Sequence, residues 1–439
     1  MSLELMHPRD QIVMLMERIY GYGMTTTSGG NLSVLDDEGA IWITPAGVAK
    51  GTLRPEDIVC VRADGSVQGI HRPSSELPFH KAVYAARADV RGVLHAHPPA
   101  LVTFSIVRQI PDTRIIPSAR FVCGPIGYAE YALPGSDLLG ARIAAKFAEG
   151  FAIVLLENHG VVAAGESLFQ AFQRFETLDF CARLIIEARR IGTVRTLQER
   201  HYVMFGRKYN VMPEFVPVTH SSRERELRAA ICGMLHRAYG QRLVTSTEGT
   251  FSARTAGNDF LITPYGADRK YVQPEDLVMI AGGRAERGKT PSRSVRLHQR
   301  IYELHADIGA VMIAHPPAIM AFAVSDAEFD SRTIPEAYIV LRDIPELPYG
   351  SPFLRVEEMA AALGARTPVV LVENDCILTT GAGLLEAYDR LEVAEFSAKA
   401  LIAARAPGDL APITEAQVRE LARAFKLAEP REQAAGGDG

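Results

Sequence analysis

His95 and His97 stand two residues apart at the end of one apolar run, and His159 follows another in Asn158-His159-Gly160. In a β-strand alternate side chains share a face, so the first two imidazoles project the same way, a few ångströms apart, as a two-ligand clamp for a metal. The glycine after His159 lets backbone come close. Three histidines with an open fourth position describe a catalytic divalent metal, zinc by default; a structural zinc site closes with a fourth protein ligand and favours cysteine. Glu76 is the fourth group, able to bind metal at rest and to act as base when substrate displaces it.

A lone histidine on an apolar strand is more often a core residue than a ligand, and the chain carries its own control. Arg72-Pro-Ser-Ser-Glu-Leu-Pro-Phe-His80 recurs as Thr290-Pro-Ser-Arg-Ser-Val-Arg-Leu-His298. His95-Ala-His-Pro-Pro99 recurs as Ile313-Ala-His-Pro-Pro317, and Glu157-Asn-His-Gly160 as Glu373-Asn-Asp-Cys376. In the second copy Ile313, Asp375 and Ser294 replace His95, His159 and Glu76, so the fold tolerates the loss of all three. His80 survives as His298, which assigns it to packing or a hydrogen bond. His97 also survives, as His315, and only its spacing to His95 marks it as a ligand. Arg293 replaces Ser75 and Thr250 stands where Asn31 stands. The second copy is expected to be a structural partner without a metal site; a modified binding pocket is the alternative.

The elements that must hold these residues read as mixed α and β. In the first repeat, helices are expected over 12–20, 75–87, 98–107 and 168–190, and strands over 40–44, 58–62, 92–97, 151–156 and 161–164. The second repeat restarts near Ser221, with helices over 227–239 and 383–404 and strands over 260–263, 311–314 and 369–372. Helices gathered on a sheet give an α/β/α layered domain, present twice. The domain organisation expected is 1–207, an extended proline-punctuated linker over 208–220, a second domain over 221–428 and a disordered tail over 429–439.

The 439 residues are enough for two substantial cores. A net charge of −5 without a long basic run gives no support for nucleic acid or an anionic membrane as partner. No basic, apolar leader opens the chain and no apolar run approaches the ~20 residues that span a bilayer. The five scattered cysteines, without a CxxC spacing, fit reduced thiols and a cytoplasmic location.

The Ser-Ser-Glu helix start, the His-Ala-His-Pro-Pro strand and the Glu-Asn-His-Gly turn, in this order, resemble the class II aldolase/adducin superfamily, over nearly all of the first repeat and in weakened form over the second. The resemblance implies two tandem class II aldolase-like domains, with His95, His97 and His159 as metal ligands and Glu76 as acid/base. It implies a substrate-phosphate cradle from Asn31, Gly47, Ser74 and Ser75, where hydroxyls and a helix dipole converge on one anion. Ala46 departs from the Thr or Ser usual in the family's Thr-Pro-x-Gly turn, so a carboxylate or an unphosphorylated substrate stays open. Relatives form fourfold rings in which a neighbour's tyrosine assists proton transfer; Tyr131 matches it, though in a pseudo-fourfold ring of alternating repeats, made by a dimer, Tyr131 would face the second repeat and the segment near Glu346 and Tyr349 the first. The implied activity is a metal-dependent carbon–carbon lyase acting on a small hydroxy-carbonyl or sugar-phosphate-like compound. Decarboxylation of a 3-oxo acid, 4-epimerisation and iron-dependent oxidation on the same scaffold remain alternatives, as do manganese, cobalt and iron for zinc. A non-enzymatic adducin-like interaction protein is the rival class.

Overall fold

In the computed structural model, which describes residues 5–205, 207 and 209–427, the chain forms two compact units, Met1–Ile186 and Glu187–Gly439. The tail expected over 429–439 lies outside the described residues. Of the expected linker, the described residues 209–220 fall in the second unit, and Glu214–Phe215 pair with the edge of its sheet.

The first unit has an eight-stranded sheet ordered β4-β3-β2-β1-β5-β8-β7-β6. Its strands are β1 (Asn31–Leu35), β2 (Ile41–Ile43), β3 (Val59–Val61), β4 (Val67–Gln68), β5 (Gly92–Ala96), β6 (Ile126–Ala129), β7 (Ile153–Leu156) and β8 (Gly160–Gly165). All pairs are antiparallel except β6 with β7. Every residue of β5, β7 and β8 is buried, so both faces of the central strands are covered.

One face is covered by α2 (Leu77–Ala86) and α5 (Asp137–Ala148), whose Phe79, Val83, Leu139, Ile143 and Phe147 join Val93, Val154 and Val162 in one core. Burying side chains of this size stabilises by about 1.5–3 kcal/mol each. Helices α1 (Pro8–Gly21), α3 (Pro99–Ile106), α4 (Pro117–Cys123) and α6 (Leu168–Ile191) complete the unit. The expected helices at 12–20, 98–107 and 168–190 are present within a few residues. The one expected over 75–87 begins at Leu77, with Glu76 at its N-cap. Helix α5 was not foreseen, because Gly140 interrupts its apolar periodicity, although Ser136 caps it through the N–H of Leu139.

The second unit repeats the layout. Its sheet order is β15-β16-β17-β14-β10-β11-β12-β13-β9, the same sequence of strands with the short β9 (Glu214–Phe215) added at one edge. Its strands are β10 (Thr250–Ala256), β11 (Asp259–Ile262), β12 (Val278–Ala281), β13 (Arg284–Glu286), β14 (Ala310–Ala314), β15 (Glu346–Leu347), β16 (Val369–Val372) and β17 (Ile377–Gly381). Helices α7 (Glu199–Phe205), α8 (Ser222–Gly240) and α9 (Val295–Leu304) follow, and the long helix Leu384–Ala404 covers β17 and β14.

Candidate metal centre

Strand register brings the site together. Asn31 on β1 lies opposite His95 on β5, and Ser33 opposite Val93. Since directly paired residues share a face, Asn31, Ser33 and His95 all stand on the side that α2 covers. His97 follows β5 and keeps that side. Residues 157–159 form the turn between β7 and β8, where Leu156 pairs with Gly160 and Asn158 takes a left-handed φ of 54°. That turn delivers His159 to the other two imidazoles.

The ligand atoms of His95, His97 and His159 lie within 4.8 Å of one another, the one such trio among the described residues. His95 Nε2 is 3.0 Å from His97 Nε2. Glu76 closes the group, with Oε2 3.5 Å from His95 Nε2 and Oε1 4.0 Å from His159 Nε2. The donor set fits a divalent cation. Tetrahedral zinc with bonds of about 2.0–2.1 Å places neighbouring nitrogens about 3.3 Å apart. His95 Nδ1 lies 3.0 Å from the carbonyl of Val161, so the N–H sits there and the Nε2 lone pair faces the cluster. His159 Nδ1 is buried with no hydrogen-bond partner. Burial, reinforced by the neighbouring imidazoles, pushes His95 and His97 down to about 3; burial lowers His159 as well. The three rings are therefore neutral near pH 7, the form that binds metal.

Glu76 is itself held from behind. Asn31 Nδ2 donates to Glu76 Oε2 at 2.6 Å, and Asn31 Oδ1 meets His80 Nε2 at 2.5 Å. His80 Nδ1 meets Ser33 Oγ at 2.6 Å, and Ser33 Oγ meets the Tyr84 hydroxyl at 2.7 Å. Asn31, Ser33 and His80 are almost fully buried. The sequence assigned Asn31 to the phosphate cradle; here both ends of its amide are engaged, and one of them aligns a carboxylate. The signal that could have found this chain is its recurrence, since Ser33, His80 and Tyr84 all reappear as Ser252, His298 and Tyr302 with the same bonds.

The rest of the expected cradle sits beside this group. An isolated bridge pairs Pro45 with Pro73, and the N–H of Ser74 donates to the carbonyl of Thr44. The exposed Gly47 loop and the Ser74-Ser75 segment are thereby neighbours. Ser74 is buried and its Oγ accepts from the N–H of Glu76, whereas Ser75 is exposed. A residue missed from the sequence, Lys50, is buried beneath the loop, where Nζ donates to the carbonyl of Pro45 at 2.7 Å; burial lowers its pKa. Tyr131 is 56% exposed, and the contacts recorded for it run through its backbone, the N–H to Glu157 Oε2 at 2.9 Å and the carbonyl to Arg142.

The family of class II aldolase and adducin N-terminal domains matches residues 10–186 and again 229–402. A 5-deoxy-D-ribulose 1-phosphate aldolase of Bacillus thuringiensis is 30% identical over 208 residues, 47% of this chain and 96% of that protein. A 3-oxo-tetronate 4-phosphate decarboxylase of Escherichia coli is 32% identical over 181 residues, 40% of this chain and 85% of that protein. The solved structure of an L-fuculose 1-phosphate aldolase is 30% identical, with a TM-score of 0.41 over 45% of this chain and 92% of that one.

Proposed function

The chain belongs, in two segments, to the class II aldolase and adducin N-terminal domain family, and from that premise we propose that its first repeat is a divalent-metal lyase that breaks a carbon–carbon bond in a small hydroxy-carbonyl compound. The observation that carries this reading is the convergence of three neutral imidazoles and one carboxylate in the first repeat. A divalent cation held by His95, His97 and His159, zinc before manganese, cobalt or iron, would polarise the substrate carbonyl and offset the negative charge that develops as the bond breaks.

The protein's own share follows from the geometry. The Val161 carbonyl fixes the His95 tautomer and ring. Asn31 holds Oε2 of Glu76, which leaves Oε1 to take or deliver a proton at the carbon beside the carbonyl. The hydroxyls of Ser74 and Ser75, the Gly47 loop and the N-terminus of α2 form a cradle for the anionic end of the substrate, a phosphate or a carboxylate. Tyr131, exposed on this repeat, is the proposed proton-transfer partner in a homo-oligomer. The second repeat, without His95, His159 and Glu76, is proposed as a partner domain without a metal centre.

Retro-aldol cleavage and decarboxylation of a 3-oxo acid demand the same proton transfer from Glu76, and the decarboxylase relative favours the second as an alternative. The test is metal analysis of the purified chain, followed by incubation with L-fuculose 1-phosphate, 5-deoxy-D-ribulose 1-phosphate and a 3-oxo-tetronate 4-phosphate. About one metal per chain is expected, with turnover of one class abolished by chelation and by Glu76→Ala. Failure to take up metal on reconstitution, or undiminished turnover in Glu76→Ala, overturns the proposal.

A further inference from the structure

The second repeat keeps the frame of the first site and refills it with different polar groups. Thr250 pairs with Ile313 as Asn31 pairs with His95. Ser252 Oγ meets His298 Nδ1 and the Tyr302 hydroxyl, each at 2.7 Å, and Asn374 repeats the left-handed turn of Asn158 with φ 49°. Within that frame a core under no constraint would have become apolar, because a buried polar atom without a partner costs stability. Only His95 has been replaced in that way, by Ile313.

Ser294 Oγ, His298 Nε2 and His315 Nδ1 are buried polar atoms of this repeat with no hydrogen-bond partner. Their residues are at most 7% exposed. His298 Nε2 is the atom whose counterpart in the first repeat bonds Asn31 at the Glu76 carboxylate, so its direction is into the site. Ser294, where Glu76 stands in the first repeat, is the N-cap of the ten-residue α9, and its hydroxyl caps nothing. Glu248, Arg293 and Asp375 are half-buried and hold the chain positions that Gly29, Ser75 and His159 hold in the first repeat. Arg293 acts electrostatically on His315, Asp375 and Tyr349, and Glu248 on His315 and Asp375.

The exchange of groups changes the chemistry. Two imidazoles and the base are gone, and a guanidinium has taken the place of Ser75 immediately before a helix N-terminus. A guanidinium there binds a carboxylate or phosphate and repels a cation. The two carboxylates across from it disfavour a bare anion but accept hydrogen bonds from hydroxyl groups. We infer that the second repeat is a metal-independent binding site for a small polyhydroxylated acid or its phosphate ester, the acid group at Arg293 and Ser294 and the hydroxyls at Glu248, Asp375 and His298. This holds whatever the first repeat turns over.

The test is calorimetric titration of the full chain, stripped of metal so that no turnover competes, with D-erythronate 4-phosphate and with inorganic phosphate. Erythronate 4-phosphate should bind saturably and more tightly than phosphate. Arg293→Ser, which restores the first repeat's residue at a half-exposed position, should weaken it at least ~10-fold. Asp375→Asn should weaken the sugar acid and should not weaken inorganic phosphate. No saturable binding of either probe at millimolar concentration overturns the inference. So does affinity untouched by Arg293→Ser but lost in Ser75→Ala, which puts the ligand in the first repeat. A crystal grown with the probe that contains water alone between His298 and Ser294 overturns it too. Folding of all three variants is checked by their thermal transitions. Failure of the lyase proposal leaves every one of these measurements intact.

Discussion

Replacing Asn31 by threonine, the residue of the second repeat, separates two roles that share one side chain. Asn31 Nδ2 donates to Glu76 Oε2 at 2.6 Å, and Oδ1 accepts from His80 Nε2 at 2.5 Å. Threonine reaches neither; Thr250 bonds Ser292 Oγ instead and leaves His298 Nε2 without a partner. Losing a hydrogen bond to a carboxylate costs about 1.5–3 kcal/mol of orientation at Glu76. If half or more of that is expressed in the transition state, kcat falls roughly 4- to 160-fold. The stranded N–H of His80 costs about 1–3 kcal/mol of folding free energy, which lowers the first repeat's melting temperature by about 2–4 °C per kcal/mol. The measurements are kcat and KM for the substrate found in the screen above, metal content and a thermal scan. A kcat within twofold of wild type, with KM alone raised for a phosphorylated substrate, refutes the positioning argument and returns Asn31 to the cradle.

Gly160→Ala should destabilise by about 1–3 kcal/mol and weaken metal binding, because an added Cβ would lie 2.6 Å from both the Ala96 carbonyl and His97 Cδ2; unchanged zinc affinity by competition titration would contradict this. His95→Ala should abolish uptake of about one metal per chain while leaving the sheet intact by circular dichroism; a full metal complement in the variant removes His95 from the ligand set. The framework histidines predict a pH effect. Burial pushes His298 down to about 3, and His80 well below its usual value. A histidine depressed in the folded state binds its proton more readily when unfolded, so stability is fully present above about pH 6.5 and is lost as pH falls towards 3. The slope reaches up to ~1.4 kcal/mol per pH unit for each such group. Chemical denaturation between pH 7 and 4 checks it, and a His298→Gln chain with an unaltered slope would count against the assignment.

What the sequence made legible was the alternation of strands. The two-residue spacing of His95 and His97, and the terminal place of His159, depend only on strand geometry and on a turn, and both are local. The α/β/α layering followed from short apolar strands interspersed with helices. The connection of Glu76 to its support was not legible, because Asn31, Ser33, His80 and Tyr84 meet only through the register of β1 on β5 and the packing of α2 above them. Lys50 was hidden for the same reason: its partner is a main-chain carbonyl, and no side-chain pattern announces that. Residues 208–220 read as a linker because proline punctuates them, yet an extended segment with free main-chain groups is also what an open sheet edge accepts.

The loss of the site in the second repeat is a coupled change rather than a set of independent substitutions. In the first repeat two glycines make room for His97. A Cβ on Gly29 would lie 3.0 Å from His97 Nδ1, and one on Gly160 2.6 Å from its Cδ2. Their counterparts in the second repeat are Glu248 and Cys376, whose side chains begin at the backbone positions that make this room in the first. Restoring ligands alone, Ile313→His with Asp375→His, should therefore give a chain that still takes up a single metal, because the backbone positions that admit the middle imidazole carry side chains. Adding Glu248→Gly and Cys376→Gly, with Arg293→Ser to remove the guanidinium that repels a cation, should raise uptake to two. Two metals bound by the double variant alone would show that ligand identity sufficed and that the glycines were incidental. The reasoning generalises within this chain: what distinguishes the two repeats is as much the space reserved around His97 as the groups that face it.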